Sequence, residues 1–195
     1  MNHSETELGK QLATELKDAR LIDTRTVLIS EPITSRTAER VIRDLLILDE
    51  TNQNPIKVYM NSPGGEVNSG LAIHDTIRFL RSEVSIINCG LCASIATIIN
   101  LAAKKENRYS MPNTEFLIHQ PLISGQVIGA ASDLEITANQ ILKTRERINN
   151  IIAKECGRPL KQVEEDVSRD HWLTAEEARS YGLVSKVVQT KKEIH

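Results

Sequence analysis

Apolar residues along this chain recur with two alternating periods, one suited to strands and one to helices. Thr26-Val27-Leu28-Ile29 reads as a short strand, and Ala38, Val41, Ile42, Leu45 and Leu46 then form the stripe of a helix ending near Asp49. Ile56 to Met60 is the next strand. It leads through Ser62-Pro63-Gly64-Gly65 into a helix carrying Ile73, Ile77 and Leu80, and then into a strand at Val84-Ser85-Ile86-Ile87. A turn containing Gly90 is expected to connect that strand to an apolar helix after Ser94, and Glu115 to His119 is a further strand. Strand and helix alternate without hairpin signals, so the pattern predicts a parallel sheet covered by helices.

The longest periodic run extends from about Ala130 to Cys156, with Leu134, Ala138, Ile141, Ile148 and Ile152 on one face and Gly157 and Pro159 as its stop. A helix of that length spans roughly 40 Å, so it is expected to project from the body and pack on another subunit. Ser4-x-x-Glu7 is a capping box ahead of Leu8, Leu12 and Leu16, which predicts an amphipathic helix near the N-terminus. Thr174-x-x-Glu177 is a second such box. It opens a short helix that Gly182 closes before a final strand from Leu183 to Val188, and Lys191 to His195 is expected to be a frayed tail.

Composition narrows the function classes. With 195 residues and 40% hydrophobic content, the chain can bury one sizeable core, so residues 1–195 are expected to form a single domain. The net charge is −2 and the 24 Lys and Arg residues are scattered, which leaves no basic field for nucleic acid. A polar, acidic start and the lack of an apolar run near ~20 residues argue against a secretory signal or a membrane span, so a soluble, cytoplasmic protein is expected. Cys89-Gly90-Leu91-Cys92 has the spacing of a redox dithiol or half a zinc site. With no second pair and no neighbouring ligand residue, buried, reduced thiols are expected, and neither metal nor cofactor.

Four segments carry candidate chemistry. Ser94 lies between an apolar strand and an apolar helix, flanked by small residues; it is either a helix cap or a hydroxyl facing a cleft near the helix dipole. Gly64 and Gly65 form either an ordinary tight turn or a backbone that aims amide hydrogens at a ligand, in which case Gly65 N–H and Ile95 N–H make a two-donor oxyanion hole. His119 ends an apolar strand beside Gln120-Pro121, where an imidazole can transfer protons near neutral pH. Asp170 can fix the tautomer of His119 or be a solvated loop aspartate.

Together these segments resemble the proteolytic subunit of the Clp peptidase family. The likeness rests on Asn61-Ser62-Pro63-Gly64-Gly65, the Gly-x-x-Ala-Ser94 segment, Met111-Pro112-Asn113 and Ile118-His119-Gln120-Pro121-Leu122. Arg169-Asp170 and Glu177-Ala178-x-x-Tyr181-Gly182-Leu183-Val184 complete it, and it spans roughly residues 20 to 190. The resemblance implies a crotonase-like α/β spiral of strand–helix units with a handle at about 120–157, and a Ser94, His119, Asp170 triad. It also implies substrate contacts at Gly64, Leu122 and Ile123, two stacked seven-membered rings, unfolded polypeptides as substrates, and an AAA+ unfoldase docking at Tyr59 and Phe79. A crotonase-type acyl-CoA enzyme, and a ring partner holding its triad misaligned, are the alternatives.

The chain departs from the family pattern in four places. The matching sequence begins only near Leu12, which implies a more open axial pore. Ile123-Ser124 stands where a Gly-Gly pair is usual, Lys57 where another docking aromatic is common, and Ser168 where an acid usually precedes the Arg-Asp pair. These differences suggest a divergent paralogue working in a mixed assembly.

Overall fold

The structure, a computed structural model, describes residues 19–122 and 129–194. The N-terminal capping box, its Leu8, Leu12 and Leu16 stripe, and Ile123 lie outside the described residues. In chain order, β1 (Thr26–Ile29) leads through α1 (Ser35–Thr51) to β2 (Ile56–Ser62), α2 (Val67–Phe79), β3 (Val84–Ala93) and α3 (Ile95–Asn100). Then come β4 (Arg108–Ser110), β5 (Glu115–Ile118), α4 (Ala131–Cys156), α5 (Leu160–Asp166), β6 (His171–Thr174), α6 (Ala175–Tyr181) and β7 (Lys186–Val187).

The sheet runs β1-β2-β3-β4-β7 with every pair parallel, and β5 branches from it by pairing with the far end of β3. As the central strand, β3 is covered on both faces, which is why Val84 to Asn88 are all buried, the polar Ser85 and Asn88 included. Ile29, Leu45, Val58, Met60, Ile73 and Ile86 meet beneath the helices in one core, each with almost no exposed surface.

Four expectations are corrected. Gly90 does not turn the chain: it takes φ +73 inside β3 and lets the strand bulge. Met60 pairs with Asn88 but Ser62 pairs with Cys92, so β3 takes two more residues than β2 over that span, and Asn61 Oδ1 accepts the Leu91 N–H at 3.2 Å to patch the gap. The sheet is not purely parallel, because β6 runs antiparallel to β5. The last strand is only Lys186–Val187. The tail is not frayed over residues 191–194, since Thr190 and Glu193 close a capping box around a 3-10 turn and Ile194 packs beside Tyr59 on the Ile87, Tyr109 and Val188 cluster.

The long helix α4 keeps its expected bounds, and Gly157 ends it in the left-handed conformation. Its inner end is anchored by Ile148, Ile152 and Cys156, whereas Leu134, Ile136 and Leu142 are exposed along the outer part. The anchor is partly ionic: Arg108, fully buried, donates to the carbonyls of Ala103 (2.7 Å), Leu101 (3.0 Å) and Glu155 (3.2 Å) and pairs with the Glu155 carboxylate. Breaking a buried pair on one side typically costs about 3–5 kcal/mol. Because Glu155 keeps Arg78 as a second partner, Arg108→Ala is expected near the lower end, about 3 kcal/mol. Denaturant unfolding at fixed protein concentration measures this, and a loss below about 1 kcal/mol would mean the pair does not anchor the handle.

Candidate active site

Ser94 follows the last residue of β3 and stands at the N-cap of α3, yet its side chain makes no capping hydrogen bond. Its backbone, at φ 56 and ψ −126, is in a region that non-glycine residues rarely occupy, and such strain collects where a side chain must be presented in one direction. Two contacts hold it there: Ser94 N–H donates to Leu117 O at 2.8 Å, and Thr97 Oγ1 donates to Ser94 O at 2.6 Å. On the other side lies Gly64, where an added Cβ would sit 2.6 Å from Ala93 O and 2.7 Å from Ser94 Cβ, so only glycine fits this approach.

Sheet register brings the partners in. β5 pairs with β3 at Leu91, Cys92 and Ala93, so the chain leaves β5 at His119 beside Ser94. β6 pairs with β5 so that Ile118 faces His171, and the next step of this antiparallel register sets His119 opposite Asp170. Gln120 fixes the arrangement from the side, its N–H donating to Val167 O (2.9 Å) and its Nε2 to Ser168 O (3.1 Å). Neither this clamp nor β6, in which only Leu173 is buried, left a signal in the residue pattern.

His119 Nδ1 lies 3.1 Å from Asp170 Oδ1, and His119 Nε2 lies 2.8 Å from Ser94 Oγ. A carboxylate only accepts, so Nδ1 carries the proton, and Nε2 is left to accept from the Ser94 hydroxyl. The imidazole is mostly covered, with 16% of its side chain exposed, while 62% of the Asp170 side chain is open to solvent. Beside the pair, Val67, Ile98, Ile118, Pro121, Ile148 and Ile152 line a small apolar pocket.

Two backbone donors near Ser94, the Gly65 and Ile95 N–H groups, are left without an acceptor among the described residues. Gly64 O accepts from Ile33 N–H (2.8 Å) and Glu66 N–H donates to Ile33 O (2.8 Å). Of the other predicted residues, Leu122 is 70% exposed. Tyr59 lines a groove with Met111, Pro112, Val188 and Ile194, whereas Phe79 is 83% exposed at the end of α2 and does not line that groove. Burial raises the thiol pKa of both Cys89 and Cys92, which disfavours the thiolate a redox dithiol needs. Among the described residues, no group of three or more His, Cys, Asp or Glu could hold a metal ion, and no helix is long and apolar enough to cross a membrane.

A serine, a histidine and an aspartate hydrogen-bonded in series at the sheet end, on an α/β fold of the crotonase-like kind, mark the class. A model of the Clp protease family matches residues 10–191. Proteins named ATP-dependent Clp protease proteolytic subunit 3 from Rhizobium etli and Rhizobium johnstonii are each 43% identical over 190 residues, covering 97% of this chain and 94% of the relative. Among solved structures, a point mutant of ClpP1 from Listeria monocytogenes is similar with a TM-score of 0.83 and 42% identity, over 89% of this chain and 96% of that one. The chain belongs to the Clp protease family. Its function there is that of the proteolytic subunit.

Proposed function

We propose that this subunit is a serine endopeptidase with Ser94 as nucleophile, His119 as general base and Asp170 as the group that orients His119. One observation carries the reading: the Ser94 hydroxyl is spent on His119 at 2.8 Å and not on capping its own helix. His119 Nε2 takes the hydroxyl proton as Oγ attacks the substrate carbonyl, and the oxyanion that forms is met by Gly65 and Ile95 N–H. The intermediate collapses when His119 returns the proton to the leaving amine. Water, deprotonated by His119 in turn, then hydrolyses the acyl-enzyme. Gly64, Leu122 and Ile123 contact the peptide backbone in this reading, and the apolar pocket, with a free volume of about 10 Å³, has to widen before it takes a substrate side chain.

The substrates proposed are unfolded polypeptides, cleaved inside two stacked heptameric rings of a single peptidase domain in the cytoplasm. Support for assembly comes from Leu134, Ile136 and Leu142 on the outer part of α4, which a partner subunit would cover. The groove at Tyr59, together with the exposed Phe79, is the proposed docking surface for an AAA+ unfoldase. Labelling with a fluorophosphonate, followed by peptide mapping, tests the reading. Modification at Ser94 that His119→Ala prevents is expected, and modification at another serine, or none, would reject it.

A further inference from the structure

Ser62 has no exposed surface, and its hydroxyl is used twice at the turn that carries the proposed oxyanion donor. It donates to Glu31 O at 2.6 Å and accepts the Gly64 N–H at 3.2 Å. Pro63 has no N–H, so Gly64 offers the first amide after Ser62 that a hydroxyl can hold, a local serine turn of the i to i+2 kind. The effect is to anchor the second segment to the first. Residues 31–33 are joined to the Ser62–Glu66 turn by the Ser62 hydroxyl and by the Ile33 N–H to Gly64 O and Glu66 N–H to Ile33 O bonds.

Of the backbone donors at Gly64, Gly65 and Glu66, the first and third are thereby occupied and Gly65 N–H is left, at a place where Gly64 has φ +87 and Gly65 has φ +153. Glycines at such angles have wide freedom of their own. Sterics on Gly64 set how near the turn can come to Ser94, but the direction of the next amide follows from its own peptide plane, whose Gly64 O is held by Ile33 N–H. Ser62 also pairs with Cys92 on β3, two residues before Ser94, so the same residue touches the strand of the nucleophile.

We propose that Ser62 is a positioning residue for the oxyanion hole: through Glu31 O its hydroxyl holds residues 31–33, whose Ile33 N–H fixes Gly64 O on the same peptide plane as Gly65 N–H. The proposal rests on the peptidase reading above. Ser62→Ala leaves Gly65 N–H present but freer to swing. Removing one oxyanion donor outright costs about 10²–10³ in kcat, and a loosened donor is expected to cost less, about 10–100-fold, with KM within about twofold. Turnover is expressed per active site titrated with fluorophosphonate, so unfolded or unassembled chains do not count. A peptide aldehyde, whose adduct with Ser94 places an oxygen in the hole, is expected to lose affinity by the same factor as kcat/KM. The amine-side product peptide, which carries no oxygen into the hole, is expected to bind as before. Ser62→Cys, whose larger sulfur is a weaker donor and acceptor, should fall between.

Per-site turnover at the wild-type level in both variants would overturn the proposal, as would equal losses for aldehyde and product. Loss of titratable sites in both would make Ser62 a folding residue and overturn it too. If Ser94→Ala remains active, the peptidase reading itself has failed. If Ser94→Ala is inactive while Ser62→Ala turns over normally, only the role of Ser62 has failed.

Discussion

Replacing Ser94 with alanine is expected to lower peptide turnover by a factor on the order of 10⁴–10⁶ and to abolish fluorophosphonate labelling, with folding and assembly retained. Alanine keeps the Cβ that Gly64 packs against, and the two backbone anchors of Ser94 do not involve the hydroxyl. What disappears is the oxygen 2.8 Å from His119 Nε2. His119→Ala should cost a comparable factor, because a nucleophile without its base is left in its unperturbed and weakly reactive state. The double variant should then be no worse than either single one. Independent roles would instead multiply the two losses, so turnover of the three variants at equal site concentration separates the cases, and a multiplicative result would sink the assignment of a linked pair.

The second large effect is expected for Asp170→Asn. Asparagine has nearly the same shape, but its amide can turn its NH2 toward His119 Nδ1 and drive the imidazole proton to Nε2, where it blocks acceptance from Ser94. In a buried triad the corresponding change lowers kcat about 10⁴-fold. Here 62% of the Asp170 side chain is in contact with solvent, so water competes for the imidazole and screens the carboxylate. Asp170→Asn is therefore expected to reduce kcat about 10²–10³-fold with little change in KM. A loss under about tenfold would show that Gln120 and the β5–β6 pairing hold the ring without help from the aspartate.

Most of the chemistry was legible as residue types, but not as geometry. Taken alone, Ser94 read first as a helix cap and only second as a nucleophile, and both uses place a hydroxyl at a helix start. The difference lies in where His119 stands, 25 positions later in the chain, and only the pairing of β5 with β3 puts it there. Asp170 depended on β6, a strand in which only Leu173 is buried, so no apolar run marks it, and which pairs with a partner some fifty residues away. Gly90 was misread for a related reason. A glycine between an apolar run and a helix resembles a turn, and it becomes a bulge only because Asn61 on β2 accepts the Leu91 N–H that the bulge frees.

Features set by near neighbours in the chain could be read without a fold. The stop of α4 at Gly157, the Thr174–Glu177 box and the closure of α6 at Gly182 follow from backbone sterics and from contacts three or four residues apart. The mostly apolar run at Val84 to Ile87 announced a strand, while its central place in the sheet came from the pairing with β2 and β4. Folding had to settle which donors remained free, which hydroxyl met which imidazole, and that Arg108 would be buried beneath the handle with three carbonyls and a carboxylate around it. Those outcomes depend on strand register and on contacts between segments far apart in the chain, where no local spacing of residues fixes the distance.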